Sequence, residues 1–160
     1  MEDFLRILVL VVFTVFGVGG VALVFGVEKK HIAWGVLSAV ICCVGYEVSM
    51  LLGWGIFVSA LVGSALCAGY SDFMAHVLKV PATMMIILGI LPLVPGASLY
   101  YTVLGAVQSD MVKFSQNGTR ALWMAAGIAI GIIAVTAISR PINSILHDKM
   151  MIKLGAVKSK

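Results

Sequence analysis

Charged residues are scarce in this sequence. They make up 11% of the 160 residues, whereas 61% are hydrophobic, and a soluble domain carries about 25% charged residues. The mean hydropathy is +1.11. This balance excludes a soluble globular domain and predicts an all-α integral membrane protein.

Other features that the sequence lacks narrow the function. No basic cluster is interleaved with aromatic residues, so we expect no nucleic-acid binding. The cysteines, Cys42, Cys43 and Cys67, all lie in apolar runs and offer neither a disulfide framework nor four metal ligands at suitable spacing. We therefore interpret them as small packing residues. Paired catalytic groups are also missing, so we expect neither an enzyme nor a cofactor.

Long apolar runs are abundant, and a membrane-spanning helix needs about 20 such residues. The run 32–70 holds a single charge, Glu47, and is long enough for two helices, which the sequence Gly53-Trp54-Gly55 divides. The polar stretch 110–120 (DMVKFSQNGTR) is expected to be a loop. The expected spans are 7–25, 32–52, 55–76, 80–109 and 121–139. Residues 1–146 would form one five-helix transmembrane domain, and 147–160 a basic cytoplasmic tail.

Basic residues are distributed unevenly between the two sides that five spans define. One side carries Arg6, Lys113 and Arg120. The other carries eight basic residues: Lys29, Lys30, Lys79, Arg140, Lys149, Lys153, Lys158 and Lys160. Because loops rich in Lys and Arg remain in the cytoplasm, we expect the N-terminus outside and the C-terminus in the cytoplasm.

The fourth apolar run contains an unusual motif, Pro92-Leu93-Val94-Pro95-Gly96. Proline lacks a backbone N–H and glycine permits unusual dihedral angles, so we expect the helix to break between Leu91 and Ala97, near the bilayer midplane. Broken backbone inside a membrane is tolerated only beside protein or water. A proline kink that only shapes packing is the alternative.

A break at this depth would create a polar site. The second half-helix would direct its free N–H groups and positive dipole end at a small anion or carboxylate. Hydroxyl groups follow shortly after the break. The substrate-binding candidates are Pro92, Pro95, Gly96, Ser98, Tyr100, Tyr101 and Thr102.

Ionisable residues within or near the spans are the candidates for proton coupling. Glu47 is the first, because an acid inside a membrane is costly and often functional; the alternative is a residue at the interface. Asp72 and His76 lie one helical turn apart and could relay protons, or form an interfacial polar pair with Lys79.

Small residues recur at four-residue spacing, for example at Gly127 and Gly131. Such a face lets two helices approach closely. The sequence leaves open whether the neighbour is another helix of this chain or another subunit.

Residues 81–107, PATMMIILGILPLVPGASLYYTVLGAV, resemble the membrane domain of the threonine/serine exporter family, and in particular the small subunit of its split, two-gene form. The resemblance implies export of small hydrophilic metabolites, threonine and serine or succinate, driven by the proton motive force. It also implies a larger membrane subunit as the partner. A homo-oligomer is left open.

We therefore expect a proton-coupled subunit of a secondary exporter, in the cytoplasmic (inner) membrane of a bacterium. The alternative is a membrane scaffold or assembly protein that transports nothing and uses the prolines for packing.

Overall fold

The computed structural model describes the backbone of residues 2–158 and the side chains of residues 5–139. This part of the chain is helical, with short connections. The elements are α1 (Glu2–Val24), α2 (Lys29–Leu51), α3 (Gly55–Leu78), α4 (Ala82–Ile90), a 3₁₀ turn (Leu91–Leu93), α5 (Gly96–Val107) and α6 (Met111–Lys158). The prediction of an all-α fold is confirmed.

Four of the helices are long and apolar enough to cross a membrane: α1, α2, α3 and the Met111–Ser139 part of α6. The bent pair formed by α4 with its 3₁₀ turn and by α5 makes five when it is counted as one span. The boundaries expected for the second and third spans agree with α2 and α3 within a few residues. The turn between these helices falls at Gly53, whose φ is +78°, a conformation that glycine adopts without strain.

One expected loop is wrong. Residues 111–120 belong to α6 because Asp110 caps this helix. Its carboxylate oxygen Oδ1 accepts a hydrogen bond from the Lys113 N–H at 3.0 Å, which satisfies one of the free N–H groups of the first turn. The Lys113 ammonium lies 3.2 Å from the other carboxylate oxygen. The polar composition of this stretch therefore marks the start of a helix.

Helices α2, α3 and α4 pack into the core of the molecule, and α1 covers α2. Buried small side chains dominate this core, with Leu88 and Leu93 as its largest aliphatic members. The helix α6 packs along α3, and α5 packs on α6. Hereafter "the Lys79 end" is the end of this bundle where α3 meets α4, and "the Gly55 end" is the opposite end.

The glycines of the GxxxG pattern are used within the chain. A Cβ on Gly127 would lie 2.5 Å from the Phe57 carbonyl oxygen, and one on Gly131 would lie 2.6 Å from the Leu61 carbonyl oxygen. Both glycines therefore let α6 approach the backbone of α3 closely. Of the two alternatives for this face, the structure shows the contact with another helix of this chain.

These contacts also show that α6 runs parallel to α3, since Gly127 meets Phe57 and Gly131 meets Leu61, and that α6 starts well before α3. Trp123 packs edge-on against Phe57, with ring centroids 5.8 Å apart, and α3 begins only two residues earlier, at Gly55. Residues 111–122 therefore reach about 18 Å past the start of α3. We call these residues together with α5 the α5–α6 arm.

Candidate functional site

The predicted break in the fourth span is present. The helix α4 ends at Ile90, a 3₁₀ turn covers Leu91–Leu93, and α5 begins at Gly96. The two halves enclose a bend of 55°. The expected loss of a hydrogen-bond donor for the Leu91 carbonyl is repaired locally, because that oxygen accepts the Val94 N–H at 3.3 Å.

Different residues of the motif form the bend and fix it in the bundle. Pro95 has φ −76° and ψ +51°, and the Gly96 N–H donates to the Val94 carbonyl oxygen at 2.7 Å, which together form an inverse γ-turn. Leu93 is 2% exposed and packs among Cys42, Ala60 and Cys67. The break is therefore anchored inside the bundle at the level of Ala60 and Cys67 of α3.

The start of α5 is open. No side chain caps it, and the N–H groups of Ala97 and Ser98 have no backbone acceptor among the described residues. Gly96 is exposed, and no atom lies within 4 Å of a Cβ placed on it. The positive end of the α5 dipole thus faces a space that this chain leaves unfilled.

The hydroxyl groups beyond the break differ in their availability. Tyr100 and Tyr101 are 63% and 50% exposed and pack edge-on against each other, with ring centroids 5.3 Å apart. The Thr102 hydroxyl donates to the Ser98 carbonyl at 2.7 Å, and its methyl group faces Gly118 of α6. The tyrosines are therefore free to contact a ligand or another protein, while Thr102 contributes to the α5–α6 contact.

The proton-coupling candidates occupy separate places. Glu47 is 13% exposed and its carboxylate lies 3.8 Å from the guanidinium of Arg6, on α1. Near the Lys79 end, the Asp72 carboxylate accepts a hydrogen bond from the Ser139 hydroxyl of α6. The His76 Nδ1 lies 2.6 Å from the Asp72 backbone carbonyl oxygen. Thus the Asp72 carboxylate contacts α6. The His76 ring lies next to the backbone carbonyl of Asp72 and makes no hydrogen bond with the Asp72 carboxylate among the described contacts.

A buried polar cluster was not foreseen from the sequence. The Ser38 Oγ of α2 lies 2.9 Å from the Ser71 Oγ and 3.3 Å from the Cys67 Sγ, both on α3, and all three residues are fully buried. Gly89 of α4 closes over them, because a Cβ there would collide with Ser38 and Cys67. The sequence contains the residues of this cluster, a glycine in α4 and small polar residues in α2 and α3. Their positions within each helix follow no periodic pattern that would indicate a contact between the helices.

The cluster joins α2 to α3 and forms the surface on which α4 packs. Its side-chain hydrogen bonds run from Ser38 to Ser71 and Cys67 and persist in lipid because they do not depend on the hydrophobic effect, while Gly89 lets α4 approach them closely. The helix α4 ends at Ile90, one residue after Gly89, and the chain then turns away through the 3₁₀ turn into α5. The bend is therefore a fixed part of the fold, with one rigid side and one open side.

Comparison with known proteins gives one match. Residues 10–138 match the family model described as "Threonine/Serine exporter, ThrE", which includes every helix of the bundle, the break and the first part of α6. No curated protein matches the chain, and no solved structure matches it. Because the family model covers most of the sequence, with the Pro92–Gly96 break inside the matched range, the chain belongs to the threonine/serine exporter family and is a multi-pass membrane transporter of that family.

Proposed function

We propose that this chain is one membrane subunit of a proton-coupled secondary exporter in the cytoplasmic membrane of a bacterium. Its cargo would be a small hydrophilic metabolite, either an amino acid similar to threonine and serine or a dicarboxylate similar to succinate. The N-terminus would lie outside the cell and the C-terminus inside, as the distribution of basic residues indicates. A second, larger membrane subunit of the same family would complete the transporter.

The observation that carries this proposal is the open start of α5. Its N–H groups at Ala97 and Ser98 lack backbone acceptors among the described residues, and an unpaired backbone group in hydrocarbon costs several kcal/mol. Such a site is stable in a membrane when water, a ligand or another protein occupies it. A substrate pathway that passes the break would bring all three of these occupants to the free N–H groups: water, the substrate and the second subunit.

The chemistry of the site favours a carboxylate. Free N–H groups at the positive end of a helix dipole bind anions, and carboxylates are common to amino acids and dicarboxylates. Ser98, Tyr100 and Tyr101 provide hydroxyl groups within the next turn and a half of α5. Pro92, Pro95 and Gly96 would shape the binding site, and Thr102 would position α5 on α6.

The exposed surface of the α5–α6 arm supports a second subunit. Five large side chains of the arm are more than 60% exposed: Tyr100, Val103, Val107, Met111 and Leu122. Within the chain, α5 packs mainly on α6. Since Gly127 and Gly131 already contact α3, we place the partner on this arm. It would supply the missing wall of the substrate site.

The first experiment is reconstitution in vesicles. The purified chain alone should give no substrate-dependent flux, whereas the chain together with a larger membrane subunit of the same family should export threonine or succinate. Matched vesicles with the larger subunit alone serve as the control. Robust flux from the chain alone would favour a homo-oligomeric carrier, and full flux from the larger subunit alone would favour the scaffold function.

Proton coupling is assigned to Glu47 for a separate reason. Its side chain is largely buried within a span, and its partner Arg6 is 68% exposed, so the pair can separate without leaving Arg6 dehydrated. Glu47→Gln keeps the shape and removes the charge. We expect the variant to reach the membrane and to lose the pH dependence of flux.

The matched control for this test is Arg6→Gln, which removes the partner and leaves the carboxylate. It should shift the pH profile without flattening it. If the pH profile of Glu47→Gln equals that of the wild type, Glu47 is an interfacial residue, and the proton site must be sought at Asp72, at His76 or on the partner.

A further inference from the structure

A cavity of about 670 Å³ lies at the Lys79 end of the bundle, away from the break. It is lined by the α1–α2 connection, the start of α2, the α3–α4 connection and one face of α4. The lining residues that matter for its chemistry are Phe25, Glu28, His31, Met84, Ile87 and Leu88. Its volume is in the range of cavities that hold ligands of drug size.

The cavity has an apolar wall that opens sideways. Leu88 forms its inner limit and is fully buried, whereas Phe25 and Ile87 at its rim are 64% and 52% exposed. The part of its lining that lies on α4 runs from Thr83 to Leu88 and therefore reaches about 8 Å along this helix. Because α1 and α4 make few contacts with each other, the opening between them faces the side of the bundle, where lipid chains lie.

The polar end of the cavity is lined by Glu28 and His31, and the two lysines between them in the sequence, Lys29 and Lys30, lie next to this lining. This end is formed by the start of α2, where Glu28 occupies the cap position and makes no side-chain capping bond. The Lys30 ammonium lies 2.6 Å from the Glu28 carboxylate, and this hydrogen bond lowers the pKa of Glu28. Lys29 remains as an additional positive charge beside the positive end of the helix dipole.

His31 supplies an independent observation. It lines the cavity, its side chain is 9% exposed, and its Nδ1 has no hydrogen-bond partner among the described residues. Its Nε2 lies 3.8 Å from the Glu28 carboxylate, beyond a normal hydrogen bond. Buried polar atoms in proteins are nearly always paired, so the imidazole indicates that a polar group from outside the chain belongs here.

We propose that this cavity binds an anionic phospholipid. One acyl chain lies along Met84, Ile87 and Leu88, and the phosphate lies at the start of α2 beside Lys29, with an oxygen of the headgroup region within reach of His31. Basic residues next to a membrane helix attract anionic headgroups on the cytoplasmic side, and the proposed topology, on which this inference rests, puts Lys29 and Lys30 on that side. The bound lipid fills the gap between α1 and α4. It thereby holds these two helices in place at the Lys79 end of the bundle.

The test uses quenching of tryptophan fluorescence by lipids with brominated acyl chains. Trp34, Trp54 and Trp123 are replaced by phenylalanine, and Met84→Trp places one tryptophan in the cavity. Leu122→Trp in the same background is the control, because Leu122 is 73% exposed on α6, far from the cavity. The purified full chain is titrated with brominated phosphatidylglycerol or brominated phosphatidylcholine.

We expect quenching of the cavity tryptophan by phosphatidylglycerol at about fivefold lower lipid concentration than by phosphatidylcholine, the factor that one basic group near an anionic surface contributes. The control tryptophan should show no such preference. Adding Lys29→Gln and His31→Gln should abolish the preference in the cavity while acyl-chain quenching remains.

Three results would overturn the proposal. The first is that neither lipid quenches the cavity tryptophan. The second is that the preference for phosphatidylglycerol over phosphatidylcholine is equal at the cavity and control tryptophans. The third is that inorganic phosphate abolishes this preference, which would identify a site for a free anion. Native mass spectrometry of the wild-type protein covers the case in which a variant does not fold. It should detect a phosphatidylglycerol adduct that survives detergent exchange, and absence of that adduct would also contradict the proposal.

Discussion

The two halves of the broken span contain one glycine each near the break, and the surroundings of these glycines are opposite. Gly89 in α4 is buried, and a Cβ there would collide with Ser38 and Cys67. Gly96 at the start of α5 is exposed, and a Cβ there would meet nothing within 4 Å. The comparison teaches that one span serves two purposes, with α4 forming part of a rigid core and α5 presenting an open surface.

The largest effect is expected from Gly89→Val. The added side chain cannot fit between α4 and the Ser38–Cys67 contact, and overpacking of a tight core costs about 1–3 kcal/mol or more. The variant should be lost from the membrane or elute as aggregate in size-exclusion chromatography. Gly96→Ala is the matched control and should accumulate like the wild type, because its Cβ enters open space. Equal loss of both variants would erase the distinction between the two halves.

A large functional effect is expected from the double substitution Pro92→Ala and Pro95→Ala. Alanine restores two N–H donors and removes the ring that fixes φ at position 95, so α4 and α5 can join into one straighter helix. Flux through the assembled transporter should fall about tenfold, equivalent to ~1.4 kcal/mol, at unchanged membrane abundance. Unchanged flux would show that the bend only shapes packing.

A moderate effect on stability is expected from Ser38→Ala. The substitution removes the hydroxyl that contacts Ser71 and Cys67, and hydrogen bonds between membrane helices contribute about 0.6 kcal/mol on average. The melting temperature in detergent should fall by a few degrees. Ser115→Ala is the control, since Ser115 is exposed on α6 and should leave that temperature unchanged. A drop of equal size in both variants would contradict a stabilising role for the cluster.

The smallest effect is expected at Asp110, in the connection that begins α6. The hydrogen bond from the Lys113 N–H, followed by the contact with the Lys113 side chain, lowers the pKa of the Asp110 carboxyl. A lowered pKa stabilises the folded state above the ordinary aspartate value of about 3.9, and this contribution is lost as the pH falls through the lowered value.

The measurement for Asp110 compares two variants across this pH range. Asp110→Asn keeps an oxygen that can cap the helix and removes the charge, whereas Asp110→Ala removes both. Near neutral pH, the melting temperature of Asp110→Ala should be slightly below that of the wild type, and the difference should shrink in acid. If the difference grows in acid, the assignment of the capping carboxylate is wrong.

The sequence predicted those features of the fold that depend on neighbouring residues. The apolar runs predicted the positions of the spans, the glycine at position 53 predicted a turn, and two prolines three residues apart predicted the break. These signals are local, since each depends on the propensity of a short segment in a known solvent. The family match agrees with the resemblance seen at residues 81–107.

What the sequence did not predict depends on contacts between distant segments. The polar composition of residues 111–120 predicts a loop, whereas the hydrogen bond from the Lys113 N–H to the Asp110 carboxylate starts a helix there. Ser38 and Ser71 meet across 33 positions, and no periodicity within either helix reveals such a pair. Likewise, the orientation of Gly127 and Gly131 toward α3 was decided by packing, and the spacing alone left the neighbour undetermined.

The open start of α5 has a consequence for how the cell must make this protein. Until the proposed partner subunit binds, a newly inserted chain would carry unpaired backbone groups and exposed tyrosines on the α5–α6 arm, which membrane quality-control proteases can recognise as features of an unassembled subunit. Synthesis of this chain in excess of its partner would therefore shorten its lifetime, and a balanced supply of the two chains would extend it. The motif that opens the substrate site would then also determine how much of the chain accumulates.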